Sequence, residues 1–344
     1  MPDKKKSVSA LKDLHKEGMA LKERGQWEAA SSKFNKLIKG AREKKDVALF
    51  LDAAIGYGDC ETRRGNFRVA VDAFLEALKA ADTFGDSLKK AAVLRGLGYV
   101  HWRKGDMSMA IEYYNMALEI LASNKDQALL GKIHIDIGNI YTAVLDARNA
   151  EAQYNRGIEI LRDLDGDGPK FDMGRAYNNL CSLNMDLGHF ARAIEYAEKG
   201  IGISKEINDA NSLMWPLLNI AESYTHLNES EKAKGYLDEC MGLIKLTDDK
   251  VALTAVLRVY AVIHFKDGRK DKAKEYFMKS LDIGRDLEIP EVLAYTLKEY
   301  GIFLCETGKK DEGVKMLKEL VGIYTDFKSA HLKEAQKLCE KYSG

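Results

Sequence analysis

A small residue returns every 40 positions through nearly the whole chain, at Gly18, Gly58, Gly98, Gly138, Cys181, Ala221, Ala261 and Gly301. One step, from Gly138 to Cys181, is 43 residues. Repetition at such a period constrains the fold more than any other feature, because each copy must be one unit that stacks on the next. Twelve residues after each anchor stand Ala30, Ala70, Ala110, Ala150, Ala193, Ala233, Ala273 and Gly313, every one Ala or Gly. Sixteen after it stand Phe34, Phe74, Tyr114, Tyr154, Ala197, Leu237, Phe277 and Leu317, mostly bulky. Seven after it stand Gly25, Gly65, Gly105, Leu145, Gly188, Asn228, Gly268 and Gly308.

Small side chains at the anchor and at +12 let two helix backbones approach closely, and the bulky +16 residue fills the gap beside them. Gly and Asn at +7 tolerate the left-handed backbone on which a helix stops. The unit is therefore an antiparallel helix hairpin that stacks on its neighbours. Leu145 breaks the +7 pattern, so an atypical turn is expected in the fourth copy.

This arrangement resembles the tetratricopeptide repeat: a small residue in helix A, Gly at the turn, Ala in helix B and an aromatic four residues later. The resemblance covers about residues 11–324. The 40-residue period is longer than the family's common 34 and is similar to the repeats of kinesin light chain and LGN-type polarity adaptors. The resemblance implies an all-α, right-handed superhelical solenoid of eight hairpins over residues 8–325. A disordered tail (1–7) would precede it and a capping helix (326–344) would follow. In the last segment Leu332, Ala335, Leu338, Cys339 and Tyr342 lie at helical spacing, which suits a cap or a dimerisation helix.

Composition narrows the function. Lys plus Arg and Asp plus Glu are 53 each, a net charge of zero, which argues against a general nucleic-acid binder. No run reaches ~18 apolar residues, so no membrane helix is expected, and no secretory signal is evident at the start. Five scattered cysteines, with no CxxC pair, read as core thiols of a cytoplasmic protein. Metal-protease, phosphate-loop and nucleophile-elbow motifs do not occur, and His134 and His264 read as packing residues; neither enzyme chemistry nor a cofactor is expected. The segment Asp163-Leu164-Asp165-Gly166-Asp167-Gly168-Pro169 holds the three extra residues. It reads as an inter-repeat loop or as the start of an EF-hand, although the position for a bidentate Glu is Gly174. No other metal ligand set is suggested. Pro216 and Pro290 are placed near the starts of helices A.

In tetratricopeptide arrays helix A lines the concave face. Its stripe of offsets gives a candidate peptide-binding groove: Arg95, Tyr99, Trp102, Arg103, Asn139, Arg175, Asn178, Asn179, Trp215, Asn219, Glu222, Arg258 and Phe265. Asn139, Asn179 and Asn219 resemble the asparagine ladders of kinesin light chain and LGN-type arrays. A carboxamide can donate to one peptide group and accept from another at once. The arginines would meet acidic side chains, and the aromatics would supply contact pockets. The same residues read equally well as a solvated face or as packing between neighbouring helices. The cation clamp of Hsp90/Hsp70-tail co-chaperones is missing, since Ile135, Trp215 and Asn219 stand where its cations are needed. The sequence thus points to a scaffold that holds an extended, acidic segment of a protein partner. The alternative is a homo-oligomer that assembles through its ends and convex face.

Overall fold

The computed structural model describes residues 2–123, 126–287, 289–327 and 329–344. Among them are seventeen α-helices and no strand. They are α1 (Pro2–Glu23), α2 (Trp27–Lys44), α3 (Val47–Arg63), α4 (Phe67–Phe84), α5 (Ser87–Arg103), α6 (Met107–Ser123), α7 (Gln127–Ala143) and α8 (Ala147–Leu161). Then come α9 (Asp167–Asp186), α10 (Phe190–Glu206), α11 (Ala210–His226), α12 (Ser230–Thr247), α13 (Lys250–Lys266), α14 (Lys270–Asp286), α15 (Pro290–Glu306), α16 (Lys310–Asp326) and α17 (Leu332–Ser343). The helices follow the period of the sequence, and the chain is an all-α solenoid of helix hairpins. None is long and apolar enough to cross a membrane. The chain divides into two compact units, Met1–Ile140 and Tyr141–Gly344.

The repeated positions form the core. All the +12 alanines are fully buried, and so are the +16 residues from Phe34 to Leu317, at 0–1% exposure. In the first unit the +16 rings lie against the anchor glycines. A Cβ on Gly98 would come within 2.5 Å of the Tyr114 ring, and one on Gly58 within 2.5 Å of Phe74. Phe74 also meets Gly96 of the following helix A, so one ring wedges two hairpins together. In the second unit the same role passes to Leu237 and Phe277 within two apolar clusters.

Turn chemistry is uniform, which corrects the expectation at Leu145. All eight +7 residues have positive φ, from Gly25 (71°) to Gly308 (89°), Leu145 (61°) and Asn228 (61°) included. Each closes its helix by the same pair of bonds. At Gly105 the amide donates to the Trp102 carbonyl (2.9 Å) and the Asp106 amide to His101 (2.9 Å). At Leu145 the partners are Thr142 (3.0 Å) and, for the Asp146 amide, Tyr141 (2.9 Å). This is the Schellman closure. Helix starts are capped by side chains: Asp46, Asp86, Asp146 and Asp249 accept the amides of Leu49, Lys89, Asn149 and Ala252. Such a cap is worth ~1 kcal/mol.

Three sequence expectations change. Residues 2–7, assigned to a disordered tail, lie in α1. Residues 162–166 between α8 and α9 do make a longer connection than the two residues between α2 and α3, but α9 already begins at Asp167, and Asp167, Gly168 and Pro169 form its first turn. The later positions of an EF-hand loop are thus already helical, and the EF-hand reading fails on backbone geometry. Pro216 sits inside α11 rather than at its start, whereas Pro290 does open α15. The apolar stripe of α17 is used within the chain: Ala335 is buried, and Leu338, Cys339 and Tyr342 pack on the last core cluster. Cys60, Cys181 and Cys240 are buried free thiols. Burial pushes each of their pKa values up to about 12.

Two substitutions test this packing. Gly98→Ala forces a methyl group into the Tyr114 ring and is expected to cost about 1–3 kcal/mol. Leu145 is half exposed and held at positive φ. Leu145→Gly should therefore stabilise the protein by about 1 kcal/mol, as relief of left-handed strain outweighs the added chain entropy. Denaturant midpoints are expected to move in opposite directions for the two variants.

Candidate functional site

The sequence-derived groove residues separate between the two units. In the first unit Arg95, Tyr99, Trp102 and Arg103 lie on α5 and Asn139 on α7. Arg95 Nε donates to Asp136 Oδ2 at 2.7 Å, and Asp136 is almost wholly buried. Lys22 of α1 pairs in the same way with Asp59 of α3. Burial alone would raise the Asp59 carboxyl pKa, but Lys22 and Arg95 hold it below its usual value. Tyr99 and Trp102 are tilted rings 5.6 Å apart. The Arg63 guanidinium lies 5.3 Å from the Tyr99 ring, and Arg103 Nη1 donates to the Tyr99 hydroxyl at 3.4 Å. Asn139 is half buried.

In the second unit four successive helices A, α9, α11, α13 and α15, wall a cleft of about 300 Å³. Five predicted residues meet there: Asn178, Trp215, Asn219, Glu222 and Arg258. Trp215 (38%) and Tyr295 (59%) are exposed on its wall. Asn219 is fastened from below, its Nδ2 donating to Asn178 Oδ1 (2.9 Å) and to Ser182 Oγ (3.3 Å). Arg258, 6% exposed, grips Glu222 with both guanidinium nitrogens at 2.8 and 2.7 Å. The pair bridges α11 and α13. Burial would raise the Glu222 pKa, yet Arg258 holds it low, and Glu222 in turn raises that of Arg258 against its burial.

Three predicted residues of this unit stand apart from the cleft lining. Arg175 Nη1 donates to Asp172 Oδ1 at 3.0 Å within α9. Phe265 packs edge-on to Phe303 at 5.0 Å and belongs to the apolar cluster, not to an open pocket. Asn179 is half buried. The expectation that Arg95, Arg175 and Arg258 await acidic side chains of a partner is therefore corrected. Each already holds a carboxylate of its own unit, and for Arg258 and Arg95, both largely buried, a guanidinium without a counter-charge would be too costly. Asn219 likewise spends both its amide protons internally.

Sequence reasoning missed Val251, Ala255, Glu291, Val292 and Thr296, which complete the wall. Val251, Val292 and Glu291 lie nearer the start of helix A. Val251 and Glu291 stand ten residues before their anchors, one turn before the first position of the stripe, which Arg175 and Trp215 hold. Extending the stripe one further turn towards the N-terminus would have found these two, whereas Ala255 already stands at the offset of Trp215.

Removing one member of the Arg258–Glu222 pair strands a buried charge. Glu222→Ala should cost about 3–5 kcal/mol. Because the folded Glu222 pKa is depressed, its contribution is present above the unfolded value of 4.5 and lost as pH falls through the folded one. Thermal midpoints of the native chain should accordingly fall on acidification by more than those of Glu222→Gln.

Models of the tetratricopeptide repeat match residues 49–123 and 90–163, and a second such model matches 174–207 and 259–286. A model of anaphase-promoting complex subunit 5 matches residues 13–56 and 214–269. No curated protein matches the chain by sequence. Among solved structures, apo RapI aligns over 97% of both chains at 16% identity with a TM-score of 0.65. A Rap protein complexed with competence and sporulation factor aligns over 97% of both at 13% identity and a TM-score of 0.60. A STAND signal transduction ATPase with a tetratricopeptide repeat sensor, from Pyrococcus horikoshii, aligns at 16% identity and a TM-score of 0.65. That alignment covers 90% of this chain and 46% of the ATPase. These likenesses share the fold that the small-residue period builds, and with the family matches they make this chain a tetratricopeptide repeat protein.

Proposed function

We infer that the chain is a protein-interaction scaffold, and that the cleft of the second unit holds an extended segment of a protein partner without chemistry of its own. The observation that carries this is the pairing of Trp215 and Tyr295, two large aromatics exposed on the wall of one concave cleft. Exposed aromatics in a concavity are the usual anchors of binding energy. Beneath them the Asn178–Asn219–Ser182 bonds and the Glu222–Arg258 pair keep the wall rigid, which lowers the cost of ordering a ligand. Asn178, with its oxygen engaged by Asn219, is available to touch a passing peptide backbone at its amide. In the first unit Tyr99, Trp102 and Arg103 offer a second, smaller contact patch.

The self-assembly reading was motivated by the apolar stripe of α17, which is now spent on the chain's own last cluster. Scaffolding therefore has the stronger support.

The test is selection of short random peptides on the full chain, followed by affinity measurement. Selected peptides are expected to bind in the micromolar range. The double variant Trp215→Ala, Tyr295→Ala should weaken them at least about tenfold, as hot-spot aromatics do. Failure to select any peptide, or selected peptides indifferent to both substitutions, would overturn the reading.

A further inference from the structure

The charges around the second unit's cleft do not cancel. Glu222 is neutralised by Arg258, Asp172 by Arg175 and Glu334 by Lys298 at 3.0 Å. Lys266, the remaining cation on these faces, directs its ammonium to the Thr225 carbonyl (2.7 Å) and to Asn228 Oδ1 (3.0 Å). Three carboxylates are left over. Asp186 and Glu291 line the cleft itself. Glu299 lies one turn beyond Tyr295 on α15, within electrostatic reach of Arg258 and Glu222. None of the three forms an ion pair or a side-chain hydrogen bond with the described residues.

The surroundings make this surplus costly. Partial desolvation on the cleft wall lifts the carboxyl of the exposed Asp186 above its usual range, although His331 and Lys298 pull the other way. Burial likewise lifts Glu299 against the pull of Arg258 and Lys298. The cations of the same unit do not neutralise either group. A positive charge brought from outside would recover that cost. The aromatic wall suits the same occupant. Trp215 and Tyr295 can cover the aliphatic stem of a long basic side chain, and an indole face attracts a cation.

We propose that the partner segment enters this cleft through a basic side chain, an arginine or a lysine, whose charge is met by Asp186 on the lining and drawn by Glu299 one turn beyond Tyr295, while Trp215 and Tyr295 cover its stem. This rests on the groove reading above and specifies the chemistry of its occupant. It also reverses the sign of partner that the arginines of this unit suggested, since Arg175 and Arg258 already hold carboxylates.

The peptides selected on the full chain provide the test. Each is expected to carry an Arg or Lys whose replacement by Gln weakens binding about tenfold. Asp186→Asn with Glu299→Gln should weaken the parent peptide by a similar factor, yet leave the Gln-substituted peptide almost unaffected. Should that double variant not fold by circular dichroism, Asp186→Asn alone, at an exposed position, serves in its place. Peptides that depend on Trp215 and Tyr295 but carry no required basic residue, or that ignore the carboxylate substitutions, would overturn the proposal and leave the groove reading standing. If no peptide depends on the aromatics, both fall.

Discussion

Close approach of helix backbones is the constraint from which the rest of this molecule follows. Alanine or glycine at +12 and a small anchor bring helices A and B of a hairpin together, and a ring or branched chain at +16 locks the gap. The lock serves two hairpins at once, as Phe74 shows by touching both Gly58 and Gly96. Stacking is therefore built into the same residues that form each unit. Successive helices A are left side by side, and whatever they carry on their free stripe becomes a wall.

What they carry is in large part a set of struts. Arg95 reaches Asp136, Arg258 reaches Glu222, Asn219 reaches Asn178, and Lys266 reaches the Thr225 carbonyl. Each joins one helix A to the next. A stripe that is polar and inward-facing need not be waiting for a ligand, because desolvated charges on adjacent helices find each other first. Trp215 and the unmatched carboxylates are the part of the second unit's wall that internal pairing does not consume, while Tyr295 is exposed although the Arg258 guanidinium lies 5.7 Å from its ring.

The hairpins, the core positions and the turns were legible in the sequence because they depend on side-chain size at fixed spacing. Even Leu145 obeyed the period of the turn, since the closure is a backbone structure that a non-glycine can adopt at some cost. The wall was legible only as a list of positions. Helical offset places Asn219, Phe265 and Arg258 on or near one face, but whether a side chain opens to solvent, joins the core or grips a neighbour depends on its partner 36 to 41 residues away. Offset alone does not show that partner. The lengthened start of α9 was hidden for another reason. Gly, Asp and Pro suit both a loop and a helical first turn, so Asp167–Pro169 could be read either way.

The fastening of α17 has a consequence for how this unit comes apart. The last helix is tied to α15 by Lys298–Glu334 and by the Tyr342 hydroxyl, which donates to Glu306 at 2.9 Å. In a stacked array each element is steadied chiefly by its immediate neighbours, so fraying spreads from an end inwards. Here such fraying would loosen α16, on which α17 chiefly packs, and would cut the two side-chain ties to α15, which bears Tyr295. The terminal helix thus acts as a latch whose loss reaches the aromatic wall through α15.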